Sequence, residues 1–142
     1  MKLRDVMTPN PQTLDPNATV QDAARVMRDA DTGVVPIVEN GRPVGLITDR
    51  DIVVRAVADG SALNRPLREL ATDDLVTAEP DMSTREAAEL MGQHQVRRLL
   101  VCEGDRLVGV ASIGDLAVKE GKDRRVGNAV EEISQGVKER EF

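Results

Sequence analysis

Apolar positions along this 142-residue chain follow two periods, one helical and one extended, and the alternation occurs twice. Val20, Ala23, Ala24, Met27 and Ala30 recur at helical spacing and define one face. Thr19 with Asp22, like Ser83 with Glu86 further on, has the residue types of a capping box that opens a helix. Apolar runs of strand character follow at residues 34–38 and 99–102. Asn40-Gly41 predicts a tight turn after the first, and Glu103-Gly104-Asp105 serves after the second. Return strands then run through 44–47 and 107–111, and second helices start near Asp49 and Ile113. Ahead of each set lie a short helical start (3–6 or 67–70) and a brief extended piece (12–14 or 75–78). In the first set Thr8-Pro9-Asn10-Pro11 makes a turn between them. The predicted order is β-α-β-β-α, twice.

The doubling is a repeat with a fixed offset of 64 residues, which carries Gly45 onto Gly109 without a gap. Leu3-Arg4 then meets Leu67-Arg68, Thr8 meets Thr72, Thr13 meets Thr77 and Pro16 meets Pro80. Ala23-Ala24 meets Ala87-Ala88, and Met27 meets Met91. Glu39, Arg42, Val44 and Asp51 meet Glu103, Arg106, Val108 and Asp115. The expected fold is therefore α/β: two β-α-β-β-α units in a pseudo-two-fold pair, plus a C-terminal helix. The domains are expected at 1–60 and 61–120, with 121–142 as a linker and helical tail. In that tail Asn128 and Glu131 can cap a helix carrying Val126, Val130, Ile133 and Val137 on one stripe. Packing on its own unit and packing across a dimer are both open to it.

Composition narrows the function. There is no Trp or Tyr and the single Phe is Phe142, so the core must be aliphatic and stacking platforms for single-stranded nucleic acid are missing. A net charge of −6 argues against nucleic acid or an anionic membrane as partner. One cysteine, Cys102, and one histidine, His94, cannot build an internal disulfide, a thiolate cage or a multi-His metal site. Cys102 ends an apolar strand and reads as a buried, inert thiol; His94 reads as a helix-end residue. Without a nucleophile–base pair, a metal cluster, a membrane span or a signal-peptide core, we expect a cytoplasmic protein that is not an enzyme.

The chemistry concentrates in Gly45-Leu46-Ile47-Thr48-Asp49-Arg50-Asp51 and Gly109-Val110-Ala111-Ser112-Ile113-Gly114-Asp115. Each is a glycine, two apolar residues, a hydroxyl residue and, three positions later, an aspartate, at a strand-to-helix junction. Capping explains them fully: Thr48 and Ser112 at the N-cap, Asp51 and Asp115 one turn in. The same helix start also offers N–H donors and a positive dipole end to phosphate, with a carboxylate placed for ribose hydroxyls. The two readings coexist.

The tandem repeat, these paired motifs, the opening Val6-Met7-Thr8-Pro9 and the segments Gly33-Val34-Val35-Pro36-Ile37-Val38 and Val96-Arg97-Arg98-Leu99-Leu100-Val101 resemble the cystathionine-β-synthase-type (CBS) domain pair. The likeness is to the small stand-alone bacterial proteins of hypoxic-response type, and it covers about 3–120. It implies clefts between the two units that take adenosine ligands: AMP, ADP, ATP, S-adenosylmethionine or NAD, none of them a required cofactor. Thr48 and Asp51 would serve one cleft and Ser112 and Asp115 the other, each aspartate holding ribose. Thr13 and Thr77 would add polar contacts, and Val34, Pro36, Arg98 and Leu100 would line base and phosphate. Arg97 and Arg98 favour phosphate in the second copy; the first has Gly33 and Val34 there, with Arg50 as compensation. Because a CBS pair hides its sheets between its two copies, helix faces such as that of Val53, Val54 and Val57 are left outward, and a homodimer pairing through them is expected. The resemblance thus implies a regulatory module that signals through its dimer or an unidentified regulated protein. The alternative is a structural interaction module with empty clefts.

Overall fold

The computed structural model describes residues 1–61, 63–120 and Ile133, and in it the chain forms two compact units. One comprises Met1–Asn10 together with the described residues from Val76 onward (76–120 and Ile133); the other is Pro11–Leu75.

The first unit holds strands β1 (Thr8–Pro9), β4 (Thr77–Ala78), β5 (Arg98–Glu103) and β6 (Arg106–Ser112). They form one four-stranded sheet in the order β1-β6-β5-β4. One sheet face packs Leu99, Val101 and Ala111 against Ala87, Ala88 and Met91 of α4 (Thr84–His94) and Leu116 of α5 (Ile113–Glu120). Leu3 and Val6 of the short helix α1 (Leu3–Val6) enter the same core. Ile133, helical and 5% exposed, also belongs to it; the rest of the predicted tail helix, with Val126, Val130 and Val137, lies outside the described residues.

The second unit repeats this plan with shorter edges. Strands β2 (Val34–Glu39) and β3 (Arg42–Thr48) form a hairpin, flanked by single bridges from Leu14 to Ile37 and from Thr72 to Leu46. At the 64-residue offset these bridges are the pairs Ala78–Val101 and Thr8–Val110 of the larger sheet. Asn40 and Gly41 both have positive φ, 54° and 81°, as a primed hairpin turn requires. Val20 and Ala23 of α2 (Val20–Ala30), with Leu67 and Leu70, close the core over Val35, Ile37 and Ile47.

The offset explains the unit boundaries. The opening segment of each copy docks on the body of the other: Leu3 N donates to Met82 O and Arg4 N to Pro80 O, just as Leu67 N donates to Ala18 O and Arg68 N to Pro16 O. Thr8 pairs with Val110 and Thr72 with Leu46.

Three local expectations change. On α2 Ala24 and Ala30 face solvent, so its buried stripe is Val20 and Ala23 with Val26 and Met27 partly covered; Ala88, the counterpart of Ala24, is fully buried. At α4 only half of the capping box forms, Ser83 Oγ accepting from Glu86 N at 3.1 Å. After a single turn, α3 (Asp49–Asp51), the chain widens into a π-helical segment, Ile52–Val57. Ala58 N reaches Val53 O and Ser61 N reaches Ala56 O across five residues. Four β-branched residues crowd that segment, and Ala56 is the residue it buries.

Candidate functional site

Both junctions are capping boxes closed from the two sides. Thr48 Oγ1 accepts from Asp51 N at 3.1 Å, and Asp51 Oδ2 accepts from Thr48 N at 3.0 Å. Ser112 Oγ accepts from Asp115 N at 3.0 Å, and Asp115 Oδ2 accepts from Ser112 N at 3.1 Å. Each aspartate is thereby fixed at the start of its helix with one oxygen used. The second oxygen of Asp51 lies 3.9 Å from Arg55 Nε.

The motif glycines serve packing. A Cβ on Gly109 would strike Met7 Sδ and come within 3.1 Å of Thr8 O. One on Gly45 would meet Ala71 Cβ at 3.3 Å and Thr72 O at 3.4 Å. The docked opening segment therefore passes directly over the motif's first residue, and a side chain would hold it off.

Register brings Val34, Pro36 and Thr48 to one sheet face in one unit and Thr77, Arg98, Leu100 and Ser112 to one in the other, in each case opposite the face packed on the helices. Val34 is the cross-strand partner of Thr48, and Pro36 of Leu46. Arg98 is the partner of Ser112, Leu100 of Val110, and Thr77 pairs with Leu100. Thr13 is exposed beside Leu14, whose N–H donates to Pro36 O at 3.1 Å. Thr77 is exposed and Arg98 half-buried, whereas the side chains of Pro36 and Leu100 are buried. Arg50, on the first helical turn after β3, and Arg97, just ahead of β5, are exposed and lie outside these strand pairings.

Asp49 is a residue that the motif contained and sequence reasoning passed over. Its carboxylate lies against Gly33, with Oδ2 at 3.0 Å from where a Cβ would be, and its N–H donates to Gly33 O at 3.0 Å. In the other unit Ile113 N donates to Arg97 O at 2.8 Å, so the same backbone bond joins an apolar residue to an arginine. Only the offset, read for charge, would have shown that exchange.

Cys102 is buried, and burial aided by Glu79 and Asp105 pushes its thiol above the usual range. Among the described residues no group of three or more His, Cys, Asp or Glu side chains is placed to hold a metal, and no helix is long and apolar enough to cross a membrane.

The family model described as the CBS domain matches residues 3–57 and again 67–119. The chain is 40% identical over 132 residues to the CBS domain-containing protein YhcV of Bacillus subtilis, covering 93% of this chain and 94% of that one. It is 36% identical over 116 residues to hypoxic response protein 1 of Mycobacterium tuberculosis, covering 80% and 81%. A crystal structure of Hypoxic Response Protein I with two coordinated zinc ions superposes with a TM-score of 0.73 at 34% identity, covering 83% of this chain and 98% of that one. The CBS domain pair of protein MJ0100, in complex with 5-methylthioadenosine and S-adenosyl-L-methionine, gives 0.76 at 25% identity, covering 87% and 98%.

Proposed function

The chain belongs to the CBS domain family, and from that premise we propose that it is a regulatory module sensing an adenosine-containing ligand (AMP, ADP or ATP) and signalling through a homodimer or a regulated partner protein. Its CBS units are residues 1–60 and 61–120, with 121–142 as linker and helical tail, and it acts in the cytoplasm without catalysing a reaction. The supporting observation is the pair of closed boxes, Thr48–Asp51 and Ser112–Asp115, at equivalent strand ends of two repeated units. The methylthioadenosine and S-adenosylmethionine complex of MJ0100 supports the adenosine half of the reading. In this reading Asp51 and Asp115 hold ribose, while Thr48, Ser112 and the first N–H groups of the helices face phosphate. Thr13, Val34, Pro36 and Arg50 serve one site. Thr77, Arg97, Arg98 and Leu100 serve the other, which has the stronger call on phosphate.

A second reading has its own support. One oxygen of each aspartate is committed to its cap, and Val53, Val54 and Val57 are 58%, 50% and 63% exposed. A structural dimerisation module with empty ligand sites would need no more than this.

Calorimetry with AMP, ADP, ATP, S-adenosylmethionine and NAD separates the two. A ligand at about 100 times its Kd should stabilise the fold by roughly 2.7 kcal/mol. Asp115→Ala should then weaken its binding by about 1.5–3 kcal/mol, the range for a hydrogen bond to a charged group. Under the structural reading the substitution costs about 0.5–2 kcal/mol of stability through the cap, and no nucleotide moves the melting temperature.

A further inference from the structure

We propose that the opening segment, Met1–Asn10, is an exchangeable arm that docks on a second copy of this chain in the way it docks on its own. Every described bond that holds it goes to one unit. Lys2 bridges Ser83, Thr84 N donates to Met1 O, and Leu3 N and Arg4 N donate to Met82 O and Pro80 O. Arg4 Nε and Nη2 both reach Asp81 Oδ1, at 2.8 and 2.6 Å. Thr8 and Pro9 pair with Val110 and Gly109, and Asn10 N donates to Val108 O at 3.1 Å. From Pro11 the chain belongs to the other unit. The two sets of contacts therefore meet at one peptide bond, Asn10-Pro11.

Backbone strain falls at that bond too, and of the non-glycine residues with positive φ (Asn10, Asp31, Asn40 and Gln95) Asn10 is the one followed by proline. Asn10 has a φ of 47°, a left-handed conformation for a non-glycine residue. It stands between Pro9 and Pro11, and a residue preceding proline prefers extended backbone. Extending Asn10 relieves the strain and carries the arm away from its own receptor. The receptor on a second copy is identical, so reciprocal exchange restores every bond just named and closes a two-fold dimer. What exchange adds is the entropy of association, so the swapped form gains with protein concentration. The equivalent segment of the second copy, 66–75, docks within the unit that contains it, and exchange of that segment would have to open the unit itself.

A disulfide staple reads the exchange. The full chain carrying Cys102→Ser, Thr8→Cys and Val110→Cys is equilibrated at low and high concentration, oxidised, and run on a denaturing gel without reductant. A second staple, Lys2→Cys with Ser83→Cys, guards against a folding defect in the first. The expected result is a monomer band at low concentration. A reducible band at twice the 15.4 kDa chain should grow with concentration and shrink when Asn10→Gly removes the strain. The proposal is overturned if both staples close only within one chain at every concentration, or close not at all. It is equally overturned if Thr8→Cys alone dimerises as well, or if Asn10→Gly leaves the dimer band unchanged.

Discussion

The two units share a backbone plan and differ in the side chains that fasten it. In each, an opening segment lies across the body at the same pairs of positions. In the first unit Arg4 meets the carboxylate of Asp81 and Met7 covers Gly109. In the second the same positions hold Arg68 with the neutral amide of Asn17, and Ala71 beside Gly45. Past the junctions, one unit continues into α5 with Leu116 fully buried, and the other into a π-helical segment with three exposed valines. Docking geometry therefore belongs to the repeat, whereas its tightness and charge belong to each copy.

Core truncation is the most severe test. Leu3 and Leu67 are both fully buried at equivalent positions, so Leu3→Ala and Leu67→Ala should each cost about 2–5 kcal/mol in chemical denaturation. Similar losses would support equivalent docking; a loss confined to one would break the equivalence. Gly109→Ala comes next, at about 1–3 kcal/mol, because the new methyl meets both Met7 and the backbone at Thr8. Gly45→Ala should cost less, since its nearest neighbours stand at 3.3 Å and beyond. Met7→Ala should recover part of the Gly109→Ala loss, and melting temperatures of the three variants measure it.

The smallest effect is electrostatic and separates the units by pH. The Arg4 guanidinium, by its hydrogen bond first and its charge second, holds the Asp81 carboxyl below its ordinary value. Its contribution is therefore present above the unfolded carboxylate range and is lost as pH falls through the folded value. The pair is exposed, so salt also weakens it. Melting curves of wild type and Asp81→Asn should differ slightly near neutrality and converge in acid. Asn17 has no charge to lose, so Asn17→Ala should shift the melting temperature by the same amount at both pH values.

Features that depend on neighbours a few residues apart could be read directly from the chain. Thr19 and Asp22, Thr48 and Asp51, and Ser112 and Asp115 cap each other over three positions, and the Asn40-Gly41 turn sets its own hairpin. The repeat itself was legible because one offset preserves all of these at once. The tertiary structure alone decided which body each opening segment joins. Leu3 and Leu67 carry the same local signal, and contacts such as Arg4–Asp81 span 77 residues that no periodicity records. It also decided that Ala88 is buried where Ala24 is exposed, and that the Asp49 carboxylate lies against Gly33. Identical residues at identical offsets acquire different surroundings, because burial is a property of whatever packs above them.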